Sequence, residues 1–205
     1  MRLKRNITAV VFDYGNVLVK INRLKICKSF AKHSPITPEE ICSKIFGTDI
    51  EIDSETGKYD SKEHFNRIKE RICAREDWTY EDFYKEFKDG FDRNPDGEEA
   101  LKYASKKARV FILSNTSPIH AQWLMEHRDL SSIPELFIFS FQVGFMKPDR
   151  RIWQVMCRLG NVHPEECIYV DDVSQYCEVA EEMGFNVINY DYNGMKLKNE
   201  LSKLL

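Results

Sequence analysis

The chain has 205 residues, a formal net charge of −3, and apolar and charged fractions of 42% and 31%. This length allows one well-buried core, or a core with a small additional domain, and the ordinary composition argues against disorder. The acidic balance does not fit a nucleic-acid binder, and no apolar run reaches the ~20 residues that a membrane-spanning helix requires. The apolar stretch after the basic start covers only residues 7–12, whereas an export signal needs roughly 7–15 apolar residues.

The cysteine pattern gives no sign of a metal site. No two cysteines form a CxxC pair, and none has zinc-ligand spacing to a histidine. A domain of this size does not need disulfides, so we expect free, mostly buried thiols and a reducing, cytoplasmic location. The six cysteines are Cys27, Cys42, Cys73, Cys157, Cys167 and Cys177.

Five short apolar runs predict buried strands. They lie at residues 7–12, 109–113, 136–139, 167–170 and 185–188. Between and after the later runs, helices are predicted at residues 98–107, 119–127, 150–159 and 175–183, and a last helix carries Leu197, Leu201 and Leu204 on one face. This alternation predicts an α/β fold with a doubly wound, Rossmann-like parallel sheet.

Residues 20–91 contain helix signals but no convincing buried strand. Helices are predicted at residues 37–46, 60–73 and 79–88, the last two beginning at capping residues. We therefore predict a small helical insert at residues 20–91, between two parts of a discontinuous core at residues 1–19 and 92–205. The aromatic residues expected to form the interior of the insert are Trp78, Phe83, Tyr84 and Phe87.

Polar side chains follow three of the predicted strands where each strand ends. Asp13 follows the first strand, residues 114–116 (SNT) follow the second, and Asp171 and Asp172 follow the fourth. Lys147 lies in the loop after the third strand. Taken singly, each is more often a turn, cap or surface residue, but the carboxyl ends of parallel strands share one edge of a sheet. We therefore expect these side chains to converge.

The chemistry of this set favours phosphoryl transfer. Clustered carboxylates repel one another, and a divalent cation that prefers oxygen ligands, such as Mg²⁺, relieves the repulsion. The cation and Lys147 can hold phosphate oxygens, while Ser114 donates a hydrogen bond. A carboxylate beside the metal can attack phosphorus and form an aspartyl phosphate. The set therefore predicts an enzyme that uses Asp13 as a nucleophile on a small phosphorylated molecule.

Four segments resemble the motifs of the haloacid dehalogenase superfamily. Residues 12–18 (FDYGNVL) are similar to its first motif in the Asp-x-Gly-Asn-Val form, and residues 113–116 (LSNT) to its second. Residues 144–149 (GFMKPD) and 170–172 (VDD) are similar to the third and fourth. The resemblance covers the whole chain, and the helical insert stands where the superfamily carries a small α-helical cap domain. It is strongest to small bacterial sugar-phosphate phosphatases, such as those acting on glucose 1-phosphate.

The resemblance implies a metal site. Asp13 would be both the nucleophile and a metal ligand, and the backbone carbonyl of Gly15 would be a second ligand. Asp172 would be the ligand from the fourth motif, with Asp171 beside it as a supporting or additional ligand. The implied cofactor is Mg²⁺.

The resemblance also implies how the phosphoryl group is held. Ser114 and Asn115 would bind it, and Lys147 would neutralise both the phosphate and the nucleophile. The implied activity is phosphomonoester hydrolysis of a sugar phosphate or a similar metabolite.

Three positions depart from the superfamily pattern, of which Met146, where many relatives have a basic or polar residue, is expected to be a packing residue. Most of its phosphatases carry a second Asp at the position of Gly15, where it protonates the leaving group, a role worth about 10²–10⁴ in rate. Another group, an intrinsically good leaving group, or weak activity must account for its loss. Tyr176 stands where relatives often have Asn or Asp near the metal. Candidates for substrate contact, each also expected as an ordinary surface residue, are Lys20, Arg23, His64 and Arg67.

Two other functions stay open from the sequence. A metal-independent 2-haloacid dehalogenase also uses an Asp nucleophile without a second Asp, although Asp171 and Asp172 favour a metal. A non-catalytic phosphometabolite-binding or regulatory protein would keep the pocket without turnover, as Gly15 and Tyr176 allow. We expect a small phosphorylated substrate as partner, no nucleic acid or membrane, and a monomer or weak homodimer.

Overall fold

The computed structural model describes residues 6–191, 194 and 196–205, so the basic start at residues 1–5 lies outside the described residues. Its strands are β1 (Ala9–Phe12), β2 (Val19–Ile21), β3 (Phe91–Arg93), β4 (Arg109–Ser114), β5 (Leu136–Phe139), β6 (Cys167–Asp171) and β7 (Asn186–Asn189). Its helices are α1 (Arg23–Phe30), α2 (Pro38–Ile45), α3 (Asp49–Glu55), α4 (Ser61–Arg71), α5 (Tyr80–Lys88), α6 (Pro95–Ala104), α7 (Pro118–Glu126), α8 (Arg128–Ser131), α9 (Ser140–Val143), α10 (Arg150–Gly160), α11 (Ser174–Glu182) and α12 (Leu197–Leu204).

A five-stranded parallel sheet forms the centre of the molecule, in the order β5-β4-β1-β6-β7. Phe12 at the end of β1 is in register with Ile112 on β4 and Val170 on β6. Because successive residues of a strand face opposite sides, Val10 and Phe12 join one apolar core, and Val11 joins the other. The predicted α/β fold with a doubly wound parallel sheet is confirmed.

The helices predicted from residue 98 onward are confirmed within a few residues, as α6, α7, α10, α11 and α12. In the part of the chain that the structure describes, α4 and α10 are the longest, with 11 residues each. None of the described helices combines the length and the apolar character needed to span a membrane.

The helical insert contains α1 to α5, and the antiparallel pair β2–β3 joins its two ends to the core. Helices α2, α4 and α5 are as predicted, and side chains of Thr37, Asp60 and Thr79 cap their first turns. Helices α1 and α3 were not predicted, because neither has a clear apolar period. The pair β2–β3 was missed because each strand has only three residues, mostly not buried.

The interior of the insert is aromatic, as predicted. Trp78, Phe83 and Phe87 are at most 2% exposed and pack around Phe30. The hydroxyl of Tyr84 lies at the margin, with Glu126 of α7 as its acceptor. The apolar core of the insert is continuous with the core on one face of the sheet, so the two parts of the chain are packed together.

The expectation of free thiols is wrong for one pair. Cys27 on α1 and Cys42 on α2 form a disulfide, with their Cα atoms 5.7 Å apart. The pair is separated by 15 residues, and no sequence pattern marks it, because packing of α1 against α2 brings the two cysteines together. The other four cysteines are free thiols: Cys73, Cys157, Cys167 and Cys177.

Candidate active site

The polar residues that end the central strands meet at the carboxyl edge of the sheet. Asp13 follows β1, and its backbone N–H donates to the carbonyl of Val170 on β6 at 2.8 Å. Ser114 is the last residue of β4, and Asp171 is the last residue of β6. Lys147 reaches them from the loop between α9 and α10. The sequence prediction that these residues converge is therefore realised through the parallel order of the strands.

Lys147 holds the centre of the site. Its ammonium lies 2.7 Å from Oδ1 of Asp13 and 2.6 Å from Oδ2 of Asp171, and its side chain is 1% exposed. Burial by itself would lower the pKa of Lys147, but the two carboxylates hold that pKa above its ordinary value. Lys147 is therefore a fixed positive charge beside Asp13.

Three carboxylates converge around this charge. Asp13, Asp171 and Asp172 each offer an oxygen within 4.8 Å of the others. Both oxygens of Asp171 are already engaged, since Oδ1 accepts the backbone N–H of Val173 at 2.9 Å and Oδ2 accepts the hydroxyl of Tyr169 as well as Lys147. Asp171 therefore orients Lys147, while Asp13 and Asp172 keep oxygens that face the cavity of the site.

The position of Asp172 depends on Asn16. The side-chain amide of Asn16 donates to Oδ2 of Asp172 at 3.2 Å, and its carbonyl oxygen accepts the N–H of Ile21 at 3.2 Å. Asn16 has a φ of 54°, a left-handed conformation that Asn tolerates better than most residues. The Gly-Asn turn after Asp13 thus helps to position Asp172.

The site has the donor chemistry of a magnesium ligand set. Burial raises the pKa of Asp13 to about 7; Lys147 opposes this shift, and Asp171 and Asp172 add to it. Burial and the neighbouring Asp171 also raise the pKa of Asp172. Carboxylates whose charge is disfavoured in this way, with oxygen as the only donor element, fit a small divalent cation.

Asn115 acts on Lys147 through its side chain. Its Oδ1 accepts the backbone N–H of Lys147 at 2.7 Å, and its Nδ2 donates to the Lys147 carbonyl at 2.9 Å. The same amide lies 3.4 Å from the hydroxyl of Tyr176, whose ring centroid is 5.1 Å from the Lys147 ammonium. Tyr176 thus packs over Lys147, and the Asn115 side chain holds the loop that carries Lys147.

A cavity of about 240 Å³ opens over Asp13. Its floor comes from the core, and its opposite wall comes from the helical insert. The residues of that wall are Arg23, Phe46, Glu51, Ile52 and Glu55. Sequence reasoning missed Glu51 and Glu55, because α3 was not predicted and nothing in the sequence places its face toward Asp13.

The four residues predicted as candidates for substrate contact differ in whether they line the cavity. Arg23 lines the cavity and pairs with Glu51 at 2.9 Å, whereas Lys20 is exposed outside it. Arg67 is exposed and pairs with Glu63 on its own helix. His64 is 4% exposed and lies inside the insert, so the expectation of a surface position was wrong for His64.

Two relatives align with almost the whole chain. D-ribitol-5-phosphate phosphatase from Bacteroides thetaiotaomicron is 30% identical over 205 positions, which cover 96% of this chain and 97% of the relative. A phosphorylated carbohydrates phosphatase from Thermotoga maritima is 25% identical over 191 positions, which cover 88% and 83%.

A solved structure of a HAD family enzyme from Bacteroides thetaiotaomicron, in complex with magnesium and inorganic phosphate, has a TM-score of 0.81. It covers 93% of this chain and 97% of its own, at 21% identity, so the likeness shows the fold alone. The family model of the haloacid dehalogenase-like hydrolases matches residues 7–175, a segment that contains Asp13, Ser114, Lys147 and both later aspartates. The fold, the order of these residues and this match together place the protein among the haloacid dehalogenase-like hydrolases.

Proposed function

We propose that the protein is a Mg²⁺-dependent phosphomonoester hydrolase that acts on a small phosphorylated metabolite through an aspartyl phosphate on Asp13. The observation that carries the proposal is the placement of Asp13 beside Lys147, at 2.7 Å, and within the cluster of three carboxylates, on the floor of the cavity. A carboxylate held beside a fixed cation and a metal site is a suitable nucleophile for phosphorus.

Different residues of the site would bind the metal, attack phosphorus and offset the phosphate charge. Asp13, the carbonyl of Gly15 and Asp172 would hold Mg²⁺, and when bound the ion neutralises phosphate charge. Asp13 attacks phosphorus while the ester oxygen leaves. Lys147 keeps the nucleophile oriented and offsets phosphate charge, and Asp171 in turn orients Lys147.

Phosphate binding would rest on Ser114 and Asn115. Among the described residues, the Ser114 hydroxyl makes a single hydrogen bond, which it donates to the carbonyl of Asn115 at 3.2 Å, so it can turn toward a phosphate oxygen. The Asn115 side chain is engaged by the backbone of Lys147, so its direct contribution to phosphate would come from its backbone N–H.

A sugar phosphate or sugar-alcohol phosphate is the favoured substrate. A cavity of about 240 Å³ suits a small metabolite better than a protein side chain on a folded domain. The named substrates of the two relatives, D-ribitol 5-phosphate and phosphorylated carbohydrates, support this class. We further propose that residues 20–91 act as a cap over a core formed by residues 1–19 and 92–205, and exclude water during reaction.

Phosphate release from a panel of sugar and sugar-alcohol phosphates, D-ribitol 5-phosphate included, tests the proposed function. We expect release with Mg²⁺, none with EDTA, and none from Asp13→Asn. Asp77→Asn is the control, because Asp77 has a 75% exposed side chain and does not line the cavity. Release that persists with EDTA or in Asp13→Asn contradicts the proposal.

Two alternative functions are outcomes of the same screen. Halide release from a 2-halo acid without Mg²⁺ would indicate a dehalogenase, which the carboxylate cluster disfavours. Binding of a phosphorylated metabolite in calorimetry without any turnover would indicate a regulatory protein.

Location and assembly are separate proposals. We propose a cytoplasmic protein that is a monomer or a weak homodimer, since the composition is ordinary for a small metabolic enzyme. The Cys27–Cys42 disulfide is an observation against this location, because disulfides persist mainly in oxidising compartments, so finding this pair oxidised in the intact cell outside the cytoplasm would contradict the proposal. Cell fractionation with thiol trapping tests the location, and light scattering over a range of concentrations tests the assembly.

A further inference from the structure

We propose that Glu55, on the helical insert, is the proton donor to the leaving group and the base for the hydrolytic water, in place of the acid that Gly15 cannot provide. This inference rests on the proposed phosphatase function and deepens it. Nothing in the sequence marks Glu55; its position in the folded chain does.

Glu55 shares the cavity with the nucleophile. It is the last residue of α3 and lines the same 240 Å³ cavity as Asp13, Ser114 and Lys147, from the opposite side. A leaving group departs away from the attacking oxygen, because the two are in line at phosphorus. A proton donor is therefore needed on the side of the cavity facing Asp13, which is the wall that carries Glu55.

A close backbone contact fixes the end of α3 against the core. Gly57 has a φ of +75°, and a Cβ built there would lie 2.1 Å from the carbonyl oxygen of Phe141. Phe141 belongs to α9, whose first residue, Ser140, is bonded to Thr116 just after β4. The end of α3, which carries Glu55, therefore contacts α9, and α9 is hydrogen-bonded to the segment after β4. This places Glu55 at a defined position relative to Ser114, the last residue of β4.

The two glutamates of this wall differ in their partners. Glu51 is paired with Arg23 at 2.9 Å and accepts the backbone N–H of Gly47 at 2.6 Å, so both oxygens of its carboxyl group are already engaged. Glu55 is 9% exposed as a whole residue, and none of the described residues donates a hydrogen bond to its carboxyl group. Glu55 therefore has a carboxyl group that is free to act on a substrate.

The surroundings keep a proton on Glu55 at neutral pH. Burial raises the pKa of Glu55 to about 8; Glu51 and Asp13 act in the same direction, and Arg23 and Lys147 oppose them. An acid with a pKa near the working pH is the most effective donor and acceptor of protons. Among the described residues, the titratable and charged groups that line the cavity or the adjoining gap with Glu55 are Glu51, Arg23, His64, His120, Asp13, Tyr14, Lys147, Asp172 and Tyr176.

The two histidines behind Glu55 are neutral. Burial lowers the pKa of His64 to about 4 and that of His120 to about 3. Together with Ser117 they line a narrow gap of about 10 Å³ beside Glu55, and each keeps a buried polar atom without a hydrogen-bond partner among the described residues. These histidines therefore add no positive charge that would lower the pKa of Glu55.

The step balances as follows. Asp13 forms a bond to phosphorus, the bond from phosphorus to the ester oxygen breaks, and that oxygen takes the Glu55 proton and leaves as an alcohol. Water then attacks phosphorus, Asp13 leaves as a carboxylate, and the water proton returns to Glu55. The products are the alcohol and inorganic phosphate, and Glu55 ends protonated.

The test compares two leaving groups in Glu55→Gln, with Mg²⁺ present. For the alkyl phosphate that the wild type hydrolyses fastest in the panel above, kcat/KM should fall roughly 10²–10⁴-fold. For p-nitrophenyl phosphate, whose leaving group departs as a stable phenolate, a rapid burst of about one equivalent should remain, followed by slow turnover. Asp53→Asn, on the same helix but paired with Lys58 outside the cavity, is the control and should match the wild type.

The outcomes distinguish failure of the proposed role of Glu55 from failure of the proposed phosphatase function. Equal losses with both phosphates, including loss of the burst, would mean that Glu55 has only a structural role. Wild-type rates with the alkyl phosphate would also overturn the inference. Absence of turnover by the wild-type protein on the whole panel would instead contradict the proposed function. Because Gln matches protonated Glu55 in size and charge, the melting temperature of the variant should equal or exceed that of the wild type.

Discussion

At the scale of single residues, the proposed mechanism assigns attack on phosphorus and proton transfer to different parts of the chain. Asp13 and Lys147 lie on the core, 2.7 Å apart, whereas the carboxyl group proposed to move protons lies on the helical insert. In most phosphatases of the superfamily that the sequence resembles, both functions would come from the turn after the first strand. Here Gly15 leaves that turn without a carboxylic acid. The proposed reaction therefore depends on where the helical insert places Glu55 relative to Asp13.

Position 15 should accept an acid again. A Cβ on Gly15 would lie 3.8 Å from Oδ2 of Asp13 and 3.2 Å from the terminal methyl of Ile21, which can move by a few tenths of an ångström. We expect Gly15→Asp, introduced into Glu55→Gln, to recover part of the roughly 10²–10⁴-fold loss with alkyl phosphates. Steady-state kinetics of the double variant measure this.

The matched control for that experiment is Gly15→Asn in the same Glu55→Gln background. Asn has the size of Asp but cannot donate a carboxyl proton. Equal rates for the Asp and Asn double variants would show that position 15 does not reach the leaving group.

At the scale of secondary-structure elements, the end of α3 decides where Glu55 lies. Gly57 and Gly47 both adopt left-handed backbone, with φ of +75° and +74°, but only Gly57 lies against another segment. Alanine at either position should therefore destabilise the fold by a similar backbone term of about 1–2 kcal/mol. Only Gly57→Ala should also displace α3 from Phe141.

We expect Gly57→Ala to lower kcat on the order of 10²-fold if α3 shifts by about 1 Å, and Gly47→Ala to keep wild-type kcat. Turnover of an alkyl phosphate by both variants, at a temperature where circular dichroism shows both folded, checks this. Similar kcat values for the two variants would indicate that the Gly57 contact does not position the insert for catalysis.

The disulfide between α1 and α2 stabilises a different part of the insert. It closes a segment with a sequence separation of 15 residues, which corresponds to about 3 kcal/mol in the chain-entropy description. Reduction should lower the free energy of unfolding in urea by about that amount. The double variant Cys27→Ser with Cys42→Ser should not respond to reductant, and an unchanged wild type would contradict the prediction.

At the scale of the whole molecule, the helical insert and the sheet share one continuous apolar core. The free energy of unfolding therefore includes the contributions of ionisable groups buried between them, such as Glu55. A carboxyl group whose pKa is higher in the folded than in the unfolded chain stabilises the fold while it is protonated. For Glu55 that stabilisation is complete below the ordinary pKa of 4.5 and is lost as the pH rises through about 8.

The wild type should therefore lose stability relative to Glu55→Gln as the pH rises from about 5 to about 8, by at most about 1.4 kcal/mol per pH unit. Urea unfolding of both proteins across this range, without metal, measures the difference. Contributions from other titrating groups cancel between the two proteins to first order. A difference that does not change with pH would show that Glu55 is ionised throughout.

Much of the fold could be predicted because its causes are local. Strands β1, β4, β5, β6 and β7 are short apolar runs, as strands buried on both faces must be, and the order of strands and helices implies parallel pairing. From that pairing alone, Asp13, Ser114 and Asp171 were expected at one edge, since parallel strands end on the same side. The sequence by itself thus determined the sheet and the identity of the groups along its carboxyl edge.

Other features depend on how distant segments pack, which no local pattern encodes. The Cys27–Cys42 bond exists because α1 lies on α2, and the Asn115 side chain is used to hold Lys147 rather than left free for a ligand. Glu55 reads in the sequence as an ordinary surface glutamate. Only the tertiary structure, by pressing Gly57 against Phe141, buries its carboxyl group opposite Asp13 and thereby gives it a chemical environment that the sequence alone does not contain.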